Sequence, residues 1–196
     1  CEQALAIDPT ELEAKMILGE ALHRSFRFDE ELRLYRAAIE EKPAAALWAR
    51  TARVYRRLGL TELEEEALAK ALELASGDSH TRLEHADALL QLDRIEEADS
   101  DYEEVSRGGT PDEQTRARAG RARVLLLQGK PERAAAMLAG SEDHDGLLIL
   151  GAAYYAQMKW AEAKESFEKA LAADPASPIA VTALGFAEVL AAEDWQ

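Results

Sequence analysis

Residues 150–175 read LGAAYYAQMKWAEAKESFEKALAADP. Gly151, Tyr154, Ala163, Phe167, Ala170-Leu171 and Asp174-Pro175 within them form a pattern that returns about every 34 residues along the chain. Self-similarity at that period is how a stack of helix-turn-helix units is written in sequence, because one unit cannot bury its apolar face and neighbours must cover it. Counting first helices from Leu12, Ala45, Ser79, Thr115, His144 and Pro178, the eighth position holds Gly19, Ala52, Ala86, Ala122, Gly151 and Gly185. The eleventh holds Leu22, Tyr55, Leu89, Leu125, Tyr154 and Glu188, and one position of each second helix holds Tyr35, Leu68, Tyr102, Leu138 and Phe167. A small residue lets a neighbouring backbone come close and a large one fills the remaining gap, which predicts antiparallel helix pairs, each stacked on the next.

Composition agrees with an all-helical chain. Hydrophobic residues make up 47% of it, many of them Ala and Leu, and the 6 Pro and 11 Gly fall where helices end. Gly59 and Gly129 are placed to stop a first helix in a left-handed residue. Thr61 with Glu64 reads as a capping box, and Pro131 suits a first helical turn. Asp8-Pro9, Lys42-Pro43 and Asp174-Pro175 punctuate between units. No alternating apolar run argues for a strand.

With Trp48…Ala52…Tyr55 in the second unit and the fifth unit quoted above, the chain resembles the tetratricopeptide repeat family over nearly its whole length. The resemblance implies an all-α, right-handed α-solenoid of stacked antiparallel helix pairs, forming one array. Its repeats are expected at 12–44, 45–78, 79–114, 115–143 and 144–177, with residues 1–9 the tail of a preceding repeat and 178–196 the first helix of a further or capping one. Glu31 and Glu64 stand where the family usually buries an Ala, whereas Ala98, Ala134 and Ala163 keep to it. The chain opens at Cys1 in mid-repeat, so a piece of a longer array or a trimmed product is expected. Ile179, Val181, Leu184, Phe186 and Val189 then need a cover, which further chain, a ligand or self-association through this uncapped helix would supply.

Unit starts step by 33, 34, 36, 29 and 34 residues, so the fourth unit is short. The loop at 141–146, Ser-Glu-Asp-His-Asp-Gly, is read as a solvated connector rather than a metal site, its spacing being wrong for a calcium loop. No cofactor is expected.

The net charge is −15, with 13 basic against 21 acidic residues up to Ala98 and 10 against 17 beyond it. An evenly acidic chain repels phosphate backbones, which disfavours nucleic acid as a partner. Around the helices the charge is uneven. The first helix of the second unit carries Arg50, Arg53, Arg56 and Arg57 and no acid, and residues 115–128 carry Arg116, Arg118, Arg121 and Arg123, again with none. In the resembled family first helices line the concave face. The resemblance therefore implies a groove with two basic rungs, which would draw an acidic peptide by steering and by guanidinium forks on carboxylates. The competing reading is internal pairing: the ninth position runs Glu20, Arg53, Asp87, Arg123, which offers Arg53 and Arg123 an acid next door. Arg50, Arg56, Arg57 and Arg116 are left to a ligand or to solvent. Farther along, Leu148, Tyr155 and Phe186 would give the same face an apolar half, suited to a partner's hydrophobic side chains or to core packing.

Some members of the family grip a chaperone's terminal carboxylate with Lys and Asn on consecutive first helices. Met16, Glu20, Ala49, Arg53, Leu83 and Asp87 occupy those places here, so that clamp is absent. No hydrolytic triad, phosphate loop or zinc helix is written in the chain, and no catalysis is expected. His80 and Glu84 are too few for zinc, and His85 and Arg121 share a usually buried slot expected to form a wet seam between the third and fourth units. One Cys forms no internal disulfide, and the apolar run at 147–158 is too short for a membrane span. The expected function is a scaffold binding a protein or peptide segment, in the cytoplasm by default with the periplasm left open. A sensor arm of a larger protein, or an accessory part of a secretion or pilus machine, stands as the alternative.

Overall fold

The computed structural model describes residues 12–193, which form eleven α-helices with no strand among the described residues. Residues 1–9, expected to be the tail of a preceding repeat, lie outside them, as do residues 194–196. Contacts divide the chain into two compact units, one ending at Arg94 and the other starting at Ile95. The first unit holds α1 (Leu12–Arg24), α2 (Phe28–Glu41), α3 (Ala45–Leu58), α4 (Thr61–Leu74) and α5 (Ser79–Gln91). The second holds α6 (Ile95–Gly108), α7 (Pro111–Leu127), α8 (Pro131–Met137), α9 (His144–Ala156), α10 (Trp160–Ala173) and α11 (Pro178–Glu193). Within each unit every helix packs on the next, and α7 also meets α9.

The turns carry the repeat frame. Phe26, Gly59, Asp93, Gly129 and Met158 all take a left-handed backbone, with φ of 56°, 69°, 59°, 69° and 58°. Each lies fourteen positions past the first-helix starts counted from Leu12, Ala45, Ser79, Thr115 and His144. The amide of the next residue then donates to the carbonyl of the eleventh-position residue, as from Leu60 to Tyr55 at 3.0 Å and from Lys159 to Tyr154 at 3.0 Å. That bond satisfies a carbonyl left over at the helix end and reverses the chain in few residues. Glycine holds the position at 59 and 129, whereas Phe26, Asp93 and Met158 accept the steric cost.

Second-helix anchors fill the gaps between backbones. Tyr35, Leu68, Tyr102, Leu138 and Phe167 are all buried. The closest joints use glycine: a Cβ on Gly19 would stand 2.2 Å from the Tyr35 hydroxyl oxygen, and one on Gly151 2.4 Å from Phe167 Cε1. Cores form at these joints, around Ala52, Tyr55, Leu68 and Ala88 in the first unit and around Leu125, Leu138, Ile149 and Leu150 in the second.

Two local expectations are corrected. Thr61 and Glu64 form no capping box: α4 starts at Thr61 with Leu60 as an N-cap that makes no side-chain bond, and Glu64 is turned inward. The box is instead at Thr110 and Glu113, where Glu113 N–H donates to the Thr110 hydroxyl at 3.4 Å and Thr110 N–H to the Glu113 carboxylate at 2.8 Å. With Pro111 in the first turn, this cap starts α7 four residues before Thr115. The fourteen-position frame counted from Thr115 still holds, since the extra turn is added in front of it.

Candidate functional site

In the first unit, the arginines of α3 meet carboxylates of neighbouring helices. Arg50 and Arg53 both donate to one oxygen of Glu20 on α1, at 2.7 and 2.6 Å. The Arg53 hydrogen bond, opposed in part by burial and joined by the charges of Arg53, Arg50 and Arg24, holds the Glu20 carboxyl below its ordinary range. Arg56 bridges helices, donating to Glu64 on α4 at 2.6 Å and to Glu84 on α5 at 2.8 Å. The structure thus supplies partners for Arg50 and Arg56 that the sequence did not reveal. Arg57 is exposed and makes no ion pair or hydrogen bond with the described residues.

Beneath this face lie two buried carboxylates. Glu31 and Glu64, in the slots of the usual Ala, are 0% and 1% exposed. Burial pushes the Glu64 carboxyl up despite the Arg56 hydrogen bond and charge. Burial likewise raises Glu31, against a 2.9 Å contact with His23 Nδ1 and the charges of His23 and Arg53. The Tyr35 hydroxyl nearby is pushed up to about 12, first by burial and then by the Glu31 charge. Beside the network, a cleft of about 870 Å³ follows α1 past Met16, Ile17 and Ala21, with Glu20 and Arg50 on its rim.

The second unit presents a different set. Arg116 and Arg118 are exposed and make no ion pair or hydrogen bond with the described residues. Arg123 is exposed on the same helix. Leu148 is half-buried, packed against clusters that include Ala170, Ala180 and Phe167, so it serves the core more than a surface. Tyr155 is 38% exposed with its ring edge-on to Trp160 at 5.1 Å, and Phe186 is 62% exposed on α11 with Ile179, Val181 and Val189. The residues singled out in the sequence therefore fall into a charged set in one unit and a mixed basic and apolar set in the other.

The two polar residues expected at a wet seam, His85 and Arg121, each meet a carboxylate of their own unit. His85 Nε2 lies 3.4 Å from Glu65 on α4, and Arg121 Nε donates to Asp99 on α6 at 2.9 Å. Each polar residue reaches the second helix before it. Sequence reasoning did not single out Met16 and Ile17 as a surface, and it named Arg118 only within a basic run, not as a site residue.

Two tetratricopeptide repeat profiles match the sequence, one over residues 2–46 and 83–143 and the other over residues 45–78. No curated protein matches it. Among solved structures the chain is similar to YrrB, described as a TPR protein with an unusual peptide-binding site. The identity is 18% and the TM-score 0.70, covering 93% of this chain and 96% of that one. It is similar to TTC0263, a TPR protein of Thermus thermophilus, at 21% identity and a TM-score of 0.70, covering 90% and 98%. PilF of Pseudomonas aeruginosa gives 20% and 0.73, covering 93% and 85%. At these identities the likeness shows the fold, stacked antiparallel helix pairs of the α-solenoid class. Among the described residues no helix is long and apolar enough to cross a membrane.

Proposed function

This chain belongs to the tetratricopeptide repeat family, and on that premise we propose that it is a protein–protein interaction scaffold that binds a peptide or protein segment on the exposed faces of its first helices. The observation that carries this reading is the division of labour within each helix pair. Second-helix anchors such as Tyr35 and Phe167 close on Gly19 and Gly151, the first helices bury Leu47, Val54, Leu83 and Val124 besides, and Arg57, Arg116 and Tyr155 stay exposed on the remaining first-helix surface. Arg50 and Arg53 are fixed by the one carboxylate of Glu20 that both donate to, so their guanidinium groups are oriented before a partner arrives, which lowers the ordering cost of binding. YrrB, described as having a peptide-binding site, supports the same class of role by its likeness in fold.

The partner's chemistry differs between the units. On α3 three of four arginines already hold carboxylates, so a purely acidic guest must compete with Glu20, Glu64 and Glu84; a segment of both signs fits that face better. Arg57 is the cation there still open to a guest. In the second unit Arg116 offers a charge, and Tyr155 and Phe186 offer apolar area. The test is capture of partners from native lysate by the whole chain and by a variant carrying Arg57→Glu, Arg116→Glu and Tyr155→Ala. Partners lost by the variant at unchanged helicity support the first-helix faces, and identical partner sets for both refute them.

A further inference from the structure

The fourth helix pair is built unlike the others. Second helices α2, α4, α6 and α10 each run 14 residues, whereas α8 runs 7 and gives way to a turn ending at Gly140, which takes φ 82°. The halved helix leaves the first half of α7 without its usual cover on the second-helix side. A cleft of about 480 Å³ opens there, between Ser106 of α6, Gln114, Thr115, Arg118 and Arg121 of α7, and Met137 of α8. Thr115 and Arg118 also wall a second cleft of about 620 Å³ that reaches the loop before α9.

Charge separates the two. No carboxylate lines the smaller cleft, whereas Asp112, Glu142 and Asp145 stand on the larger one beside Arg116. Within the smaller cleft the hydroxyls are committed, Ser106 donating to the Tyr102 carbonyl and Thr115 to that of Pro111, and the Gln114 amide donates to Gly109. Arg121 is engaged with Asp99. Arg118 alone among these donors has its guanidinium uncommitted, on a wall whose floor is Met137 and Pro111. A planar fork with no acceptor, in a cleft lacking carboxylates and with apolar area beside it, matches a carboxylate carried next to an aliphatic side chain.

We propose that this cleft is a second binding site, on the second-helix side of the fourth pair, that takes an acidic peptide segment by seating a side-chain carboxylate on Arg118 and a neighbouring aliphatic residue on Met137. The site is independent of the first-helix faces proposed above. It exists because five residues fewer than the usual step separate the fourth and fifth units, which removes the half-helix that would fill it.

The probe is a fluorescein-labelled, end-capped peptide Gly-Ser-Glu-Glu-Leu-Gly, titrated by anisotropy against the whole chain, with a Gln-Gln version as control. Saturable binding is expected, weakened at least tenfold by Arg118→Gln and by the Gln-Gln peptide, and partly retained by Arg118→Lys. Arg118 is exposed, so its replacement leaves the helical signal and melting temperature in place. Arg57→Glu should bind the probe like the native chain. Equal affinity of Arg118→Gln and native chain, or of the Glu and Gln peptides, overturns the proposal. Loss in Arg57→Glu but not in Arg118→Gln also overturns it, while leaving the first-helix faces as the binding surface.

Discussion

Alanine at Gly151 should weaken the α9–α10 pair, although alanine at Gly185, the same repeat position one unit later, should strengthen α11. A Cβ on Gly151 would lie 2.4, 2.6 and 2.9 Å from three carbons of the Phe167 ring, inside any real carbon contact. The ring cannot swing clear, since Phe167 is 4% exposed and packs with Ala163 and Ala187. Replacing a helical glycine gains about 0.5–1 kcal/mol of backbone entropy, whereas overpacking a close-packed joint costs about 1–3 kcal/mol. The net is a loss of up to about 2.5 kcal/mol, and in a chain of this size each kcal/mol moves the melting temperature by about 2–4 °C. At Gly185 nothing lies within 4 Å, so only the gain remains. Urea titrations followed by circular dichroism give the two signs. Hydrogen exchange on α9 and α10 localises the effect, because repeat arrays open pair by pair. Phe167→Leu should relieve part of the loss at Gly151 in a double-mutant cycle, with a coupling of about 0.5–3 kcal/mol. Equal stabilisation by both alanines, or zero coupling with Phe167, would refute the close joint.

Other outcomes follow from the buried carboxylates and the turns. Arg56→Met should cost about 3 kcal/mol, because it strips the donor from a Glu64 side chain that is 2% exposed. Glu64→Ala should cost less than half of that in the same urea titrations, since Arg56 is 38% exposed and keeps Glu84. Because burial raises the Glu31 carboxyl above 4.5, the folded chain holds that proton more tightly than the unfolded one. Its contribution is complete below that value and is lost as pH rises through the folded pKa. The stability of Glu31→Gln should therefore gain on the native chain as pH climbs from about 4.5 towards neutral, and parallel pH–stability curves would contradict this. Met158→Gly should stabilise by about 0.5–1 kcal/mol, read as a higher melting temperature, because relief of about 1–2 kcal/mol of left-handed strain exceeds the entropy of the added glycine. The Met158 side chain is 73% exposed and gives up little packing.

The sequence by itself determined the helices, their pairing and the frame of the repeat, with left-handed stops at Gly59 and Gly129, whereas the same conformation at Phe26, Asp93 and Met158 came only with the structure. The pairing and the frame rest on short spacings along the chain: a small residue at Gly19 or Gly151 and a ring at Tyr35 or Phe167 are both local to one helix pair, so periodicity alone exposes them. It also contained the five-residue shortening that opens the cleft at Arg118. Only the tertiary structure decided which carboxylate each arginine holds. Glu64 could cap α4 with Thr61 or turn inward to Arg56, and Glu20 could serve either Arg50 or Arg53 and in fact serves both. Those choices lie between helices 8 to 33 residues apart in the chain, and they depend on where each side chain's head lands once the backbones have packed. A charge pattern names the candidates for such pairs; the distances between packed helices select among them.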